Sequence, residues 1–211
     1  MHRVELMVRE LARGLFGENA APHAVLARWD RDDVKGIQKD DPVLLSQCVP
    51  GQTLLEVVNP RVKDPNPKNN VLKKLDAAAF SQAVLLAILT MPEDGKPDNY
   101  ICEELPSGRY RLVCIDNDHS FAPAASERGL HAHFKVKCIL FCLDTMHDAI
   151  DPGVRSTVLN ATGGLTKNTV FGVLRRWLTV LSRMASQHDA LYDGSSRSAS
   201  QLWKKNTVRL F

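Results

Sequence analysis

Apolar side chains recur along residues 4–16 as Val4, Met7, Val8, Leu11 and Leu15, the spacing of one helix face, and Gly17 closes the run. Residues 24–29 and 42–47 read as short strands separated by a charged turn, and Val49-Pro50-Gly51 breaks the second. Thr53 is placed to cap a short helix over 54–58. Residues 59–70, rich in Pro, Asn and Lys, form an exposed loop. Asp76 caps the next helix, which runs to about residue 90 and ends before Pro92. That helix is apolar nearly all round, which predicts a place deep in the core.

Residues 100–104 and 109–115 are strand-like, and Pro106-Ser107-Gly108 supplies the turn of a hairpin. Asn99 then stands just before one strand and Asp116 just after the other, so both side chains emerge at one end of the hairpin. A loop is expected over 121–130. A helix follows over 134–150 and stops at Pro152-Gly153. A short helix reaches about residue 160, with a turn at 162–164, and a long amphipathic helix spans 170–188. Residues 193–200 are Gly/Ser-rich, as a mobile linker would be. The fold class is α+β and mostly helical.

Composition narrows the partners. A net charge of +3, with no run of Lys and Arg, gives no reason to expect nucleic acid. Lys63, Lys68, Lys73 and Lys74 form only a loose basic cluster, read as a solvated face. Five cysteines, an odd number without paired short spacings, argue against a disulfide framework and fit a cytoplasmic chain. Cys138 and Cys142 are expected to share a face of the helix over 134–150, as two small buried residues. The longest apolar run, 77–89, is interrupted by Ser81 and Gln82 and is too short to cross a bilayer.

The chemistry concentrates in Asp94-Gly95-Lys96-Pro97-Asp98-Asn99 and Ile115-Asp116-Asn117-Asp118. Phosphoryl transfer requires in-line positioning of phosphate and acceptor, with charge neutralised by magnesium and a cation. Asp94 is the candidate to orient an acceptor hydroxyl, and Lys96 to contact the γ-phosphate. Asn99 and Asp116 offer the hard oxygen donors that magnesium takes. His119, beside this group, reads as a polar loop residue. His131 and His133 lack a third ligand at useful spacing.

The first segment resembles the Asp-Leu-Lys-Pro-Glu-Asn catalytic loop of Ser/Thr protein kinases. The second, followed by Phe121, is similar to the Ile-Asp-Asn-Gly-Leu-Ala-Phe metal turn of type II phosphatidylinositol 4-kinases. The resemblance to the protein kinase-like superfamily covers about residues 4–150. It implies a partial small lobe over 1–48, a large lobe over 49–192 and a C-terminal segment over 193–211. It also implies ATP and Mg2+, with Gln47, Cys48 and Val49 as the hinge against adenine. Glu5, on the first helix, would pair with an ATP-binding lysine.

The sequence departs from that pattern at several points. A Gly-rich hairpin and lysine strand, roughly 50 residues in an ordinary kinase layout, would precede Val4, so the expectation is that the chain is a fragment, that the segment has been lost, or that a partner supplies it. Pro92-Glu93 stands where His-Arg would precede Asp94, and Asp118 replaces the glycine of the metal turn. No Ala-Pro-Glu segment follows. These features leave three readings: a phosphotransferase acting on a protein, lipid or small-molecule hydroxyl, a catalytically silent interaction module of the same fold, and transfer of another part of the nucleotide.

Overall fold

The computed structural model describes residues 2–30, 41–59, 71–122, 125–128, 131–134, 137–159 and 170–193. Lys63 and Lys68, the turn at 162–164 and the Gly/Ser-rich segment beyond residue 193 lie outside the described residues.

The first helix, α1 (His2–Phe16), buries Val4, Leu6, Val8, Leu11, Ala12 and Leu15. The buried stripe is wider than the sequence period predicts because α1 is covered on more than one side. Strands β1 (Ala24–Arg28) and β2 (Pro42–Ser46) pair antiparallel, with Leu26 opposite Leu44, and both pack against Leu6. A second sheet has the order β3 (Gln52–Thr53), β4 (Tyr100–Glu104), β5 (Tyr110–Cys114), all antiparallel. Gly108, at φ 73°, makes the tight connection between β4 and β5, where a side chain would be strained.

The short helix α2 (Leu54–Val58) starts on a reciprocal cap. The Glu56 amide donates to Thr53 Oγ1 at 3.2 Å and the Thr53 amide to Glu56 Oε2 at 2.8 Å. Helix α3 (Ala77–Thr90) begins on Asp76, whose carboxylate accepts from the Ala79 amide at 3.0 Å. It ends at Met91, which is left-handed at φ 44°. Its buried face is Phe80, Ser81, Val84, Ala87 and Thr90, whereas Ile88 and Leu89 are 48% and 39% exposed. The expectation of a helix buried all round is therefore corrected: α3 has one core face. That face joins Leu54, Tyr100, Cys102, Leu112, Cys138, Leu140 and Leu143 in the main core.

The expected loop and long helix beyond residue 121 are also corrected. Residues Ala125–Arg128 (β6) and His131–Phe134 (β7) form an antiparallel hairpin, so strand stands within the predicted loop and at the start of the predicted helix. Two 3-10 turns follow, Ile139–Cys142 and Asp144–His147. The physical reason lies at Gly95. Its amide donates to Lys137 O at 2.9 Å and its carbonyl accepts from the Ile139 amide at 2.8 Å. Those bonds engage backbone that a helix through residue 138 would need. Cys138 is buried against this bridge and Cys142 is exposed, so the two do not share a helical face.

Pro152-Gly153 starts a helix instead of ending one. In α4 (Pro152–Leu159) Asp151 accepts from the Val154 amide at 3.0 Å, and Pro152 takes the first helical position, where its missing N–H is harmless. The last element, α5 (Val170–Asp193), packs along α1. Among the described residues no helix is long and apolar enough to cross a membrane. The class is α+β: helices with small antiparallel sheets.

Gly95 sits so close to the 137–138 backbone that a Cβ would lie 2.6 Å from Lys137 O. Gly95→Ala is expected to destabilise the protein by about 1–3 kcal/mol, the ordinary cost of overpacking. Urea melts would show this as an earlier midpoint, and an unchanged midpoint would mean the bridge yields freely.

Candidate functional site

Residues 92–99 leave α3 and run to the start of β4, and their backbone is fastened on both flanks. The Glu93 amide donates to His119 O at 2.8 Å, Gly95 is bridged to residues 137–139, and the 3-10 turn Pro97–Asn99 leads directly into β4. Asn99 is buried, 5% exposed. Its Nδ2 donates to Asp94 O at 2.7 Å, closing the loop on itself. This uses the amide nitrogen and leaves Oδ1, the atom a cation takes, on the other side of the planar group.

The Ile115 amide donates to Asn99 O at 2.9 Å, so the hairpin ladder continues one step past β4 and β5. That bond sets Asn99 beside the turn that carries Asp116. The hairpin geometry inferred from sequence matches this pairing: Asn99 precedes β4 and Asp116 follows β5 at the same end. Lys96 Nζ lies 2.9 Å from Asp94 Oδ2 and 3.9 Å from Asp98 Oδ2, with all three side chains about half exposed. These carboxylates hold the Lys96 ammonium above its usual range, the hydrogen bond to Asp94 foremost. Asp116 is pushed above the usual carboxylate range, first by burial, then by Asp118, with a smaller contribution from Asp94. Negative charge is therefore concentrated here and only partly compensated.

The turn after β5 is gripped from α1. Glu5 Oε1 accepts from Asn117 Nδ2 at 3.0 Å and Glu5 Oε2 accepts from the Asn117 amide at 2.5 Å, across 112 residues of sequence. Both residues are 9% exposed. Glu5 therefore has a partner other than the lysine that the resemblance implies: among the described residues its two oxygens are engaged by Asn117. Burial pushes Glu5 above its ordinary value, and Asp116 and Asp118 add to this, while the two Asn117 bonds act in the opposite direction.

The hinge candidates lie elsewhere. Gln47 and Cys48 are exposed and Val49 half-buried, immediately after β2. The Gln47 amide donates to His23 O at 2.7 Å, extending the β1–β2 ladder. Their link to the site runs through β3, which pairs with β4, and α2, which packs on the Pro97–Asn99 turn.

Sequence reasoning passed over Asn117, which orients the turn, and Gly95, whose neighbours exclude any side chain. It also passed over Lys137, whose Nζ lies 2.9 Å from Glu93 Oε1 at the rim. An asparagine directly after a candidate metal acid was the available signal for Asn117. Thiol chemistry has little place here: burial pushes Cys114 up to about 12 and raises Cys138, which meets Tyr100 Oη at 3.2 Å.

Among the described residues no three His, Cys, Asp or Glu side chains form a metal cage. The donor set is an amide oxygen and a carboxylate, which suits a hard ion that keeps waters and takes phosphate oxygens. Comparison with family models, curated proteins and solved structures finds no match for this chain.

A carboxyl group whose folded pKa is raised stabilises the fold at low pH and loses that contribution as pH rises through the raised value. Glu5→Gln removes this titration. The stability of the wild type relative to the variant should therefore decline as pH rises above 4.5, the ordinary Glu value. Denaturant melts at stepped pH test the sign, and a gap that widens toward acid in the variant's favour would contradict it.

Proposed function

We propose that the chain is a kinase-like, ATP- and magnesium-dependent phosphotransferase, or the catalytic half of one, acting on a hydroxyl acceptor. The observation that carries this reading is the convergence of the Asp94–Asn99 loop and the Asp116 turn at one end of the β4–β5 hairpin, joined by the Ile115-to-Asn99 bond. Asp94 stands at the rim, half exposed, where an acceptor hydroxyl can reach it. Its role is to orient that hydroxyl and take its proton. Lys96, on a flexible stem beside it, moves from Asp94 to the transferring phosphate when the triphosphate arrives. Asn99 Oδ1 and the Asp116 carboxylate would hold the magnesium, which when bound neutralises charge on the phosphate oxygens. Gln47, Cys48 and Val49 serve as the adenine contact in this reading.

The β1–β2 hairpin, with Val25 and Leu45 56% and 53% exposed on its outer face, suits a small lobe completed by further strands. One observation favours a second reading, the catalytically silent interaction module. Glu5 is engaged by Asn117, whereas an active kinase would have it engage the ATP-binding lysine.

Mg-ATP at 100 times its Kd should stabilise the protein by about 2.7 kcal/mol and raise its melting temperature accordingly. Asp116→Asn should abolish most of that shift. Asp94→Asn should retain binding and lower turnover by about 10²–10⁴. Mass spectrometry of the products separates phosphoryl from nucleotidyl transfer. Absence of any Mg-ATP shift in the wild type would favour the silent module.

A further inference from the structure

The turn that carries Asp116 is held from a third direction. Phe121, five residues on, has φ 61°, a left-handed backbone that costs an aromatic residue energy. Its amide donates to Thr90 O and the next amide, of Ala122, donates to Met91 O at 3.1 Å. Met91 is itself left-handed. Two backbone bonds thus tie the turn to the end of α3, and each involves one of the two left-handed residues. The Phe121 ring rests on Trp177 of α5, with centroids 5.9 Å apart and planes inclined by 36°. Trp177 also donates from Nε1 to Met7 O of α1 at 2.8 Å, across 170 residues. Met7 is two residues from Glu5, the residue that grips Asn117. One indole therefore touches both the helix that holds the start of the turn and the ring that ends it.

The apolar side of α5 continues this contact. Val173, Leu174 and Trp177 meet Leu11, Leu15 and Phe16 of α1 and Leu86 of α3. Its other side, with Arg175, Leu178 and Arg183, is exposed. The helix is thus seated on the molecule along one stripe.

From this geometry we propose that α5 regulates the Asp116 turn, with Trp177 as the positioning residue that joins α5, α1 and Phe121 into one unit. Seated, α5 holds Phe121 in its left-handed conformation and α1 at the register where Glu5 reaches Asn117. Lifted, it frees Phe121 to relax toward ordinary backbone, and Asp116 shifts relative to Asn99. The regulatory role rests on the phosphotransferase reading, while the mechanical link does not.

Two variants and two readouts separate these. Trp177→Phe keeps a ring and removes the bond to Met7 O. Phe121→Leu removes the ring contact from the turn and leaves α5 on α1. Hydrogen exchange is expected to be about tenfold faster at the Asn117, Ser120 and Phe121 amides in both variants, with amides of α3 and β4 unchanged. The magnesium midpoint for ATP binding should rise by a similar factor in both variants. Unchanged exchange at the turn, or acceleration spread evenly over the protein, overturns the link. A normal magnesium midpoint with a loosened turn overturns the regulatory role. If the wild type binds no Mg-ATP, the phosphotransferase reading and the regulatory role fall together, and exchange still decides the mechanical link. Should Trp177→Phe not fold, Phe121→Leu carries both measurements.

Discussion

A buried carboxylate on the first helix fixes the position of a turn more than a hundred residues away, and the arrangement of the site depends on that contact. Glu5 and Asn117 are each 9% exposed, and a carboxylate taken so far from water must have its oxygens satisfied. Asn117 supplies one donor from its side chain and one from its backbone. The pair is therefore directional as well as buried. Removing either partner strands a polar group, so α1 and the turn keep one register. Asp116, adjacent to Asn117, inherits its position from this pair and from the end of β5.

The loop carrying Asp94 is fixed by other means. It has little apolar burial of its own, and Asp94, Lys96 and Asp98 are all about half exposed. Its order comes from backbone hydrogen bonds to His119, Lys137 and Ile139 and from the Asn99 side chain. An exposed polar segment can then present charged groups to solvent at fixed places, which is what positioning catalysis requires. The two halves of the site thus use different physics. The Asp116 turn is pinned by buried polar contacts, and the Asp94 loop by a mesh of main-chain bonds to its neighbours.

Much of the architecture was legible where local signals are strong. Thr53 and Asp76 act as caps, Gly17 and Pro92 follow helix ends, and the β4–β5 hairpin lies where alternation and Pro-Ser-Gly place it. The placement of Asn99 and Asp116 at one hairpin end followed from that reading. The segment beyond residue 121 was not legible for a specific reason. Leu140, Leu143 and Met146 recur every three residues, a spacing that an α-helix and successive 3-10 turns share. The decision between them is made by Gly95, a residue more than forty positions away. Asp151-Pro152 could have been read as a helix start, since an acid before proline caps as well as it ends. The alternation of His131, Ala132, His133 and Phe134 suited a strand. The link from Trp177 to Met7 and Phe121 has no sequence signature, because a tryptophan in an amphipathic helix reads as packing until its neighbours are known.

The charge pattern of the site carries a consequence for the proposed chemistry. Asp94, Asp98, Asp116 and Asp118 stand at one mouth, and Lys96 compensates only part of that charge. Asp116 is held above the ordinary carboxylate range because burial and its acidic neighbours both oppose its ionisation. A free triphosphate approaching this mouth meets like charge, which disfavours binding in proportion to proximity. On the phosphotransferase reading, Asn99 and Asp116 would hold a divalent ion, whose charge would offset that repulsion. The same charge would lower the cost of ionising Asp116. In the phosphotransferase reading, metal and nucleotide are therefore obligate partners in binding, each creating the conditions the other needs. Lys96 alone, exposed and already shared between two aspartates, is too weak a counter-charge to replace the ion.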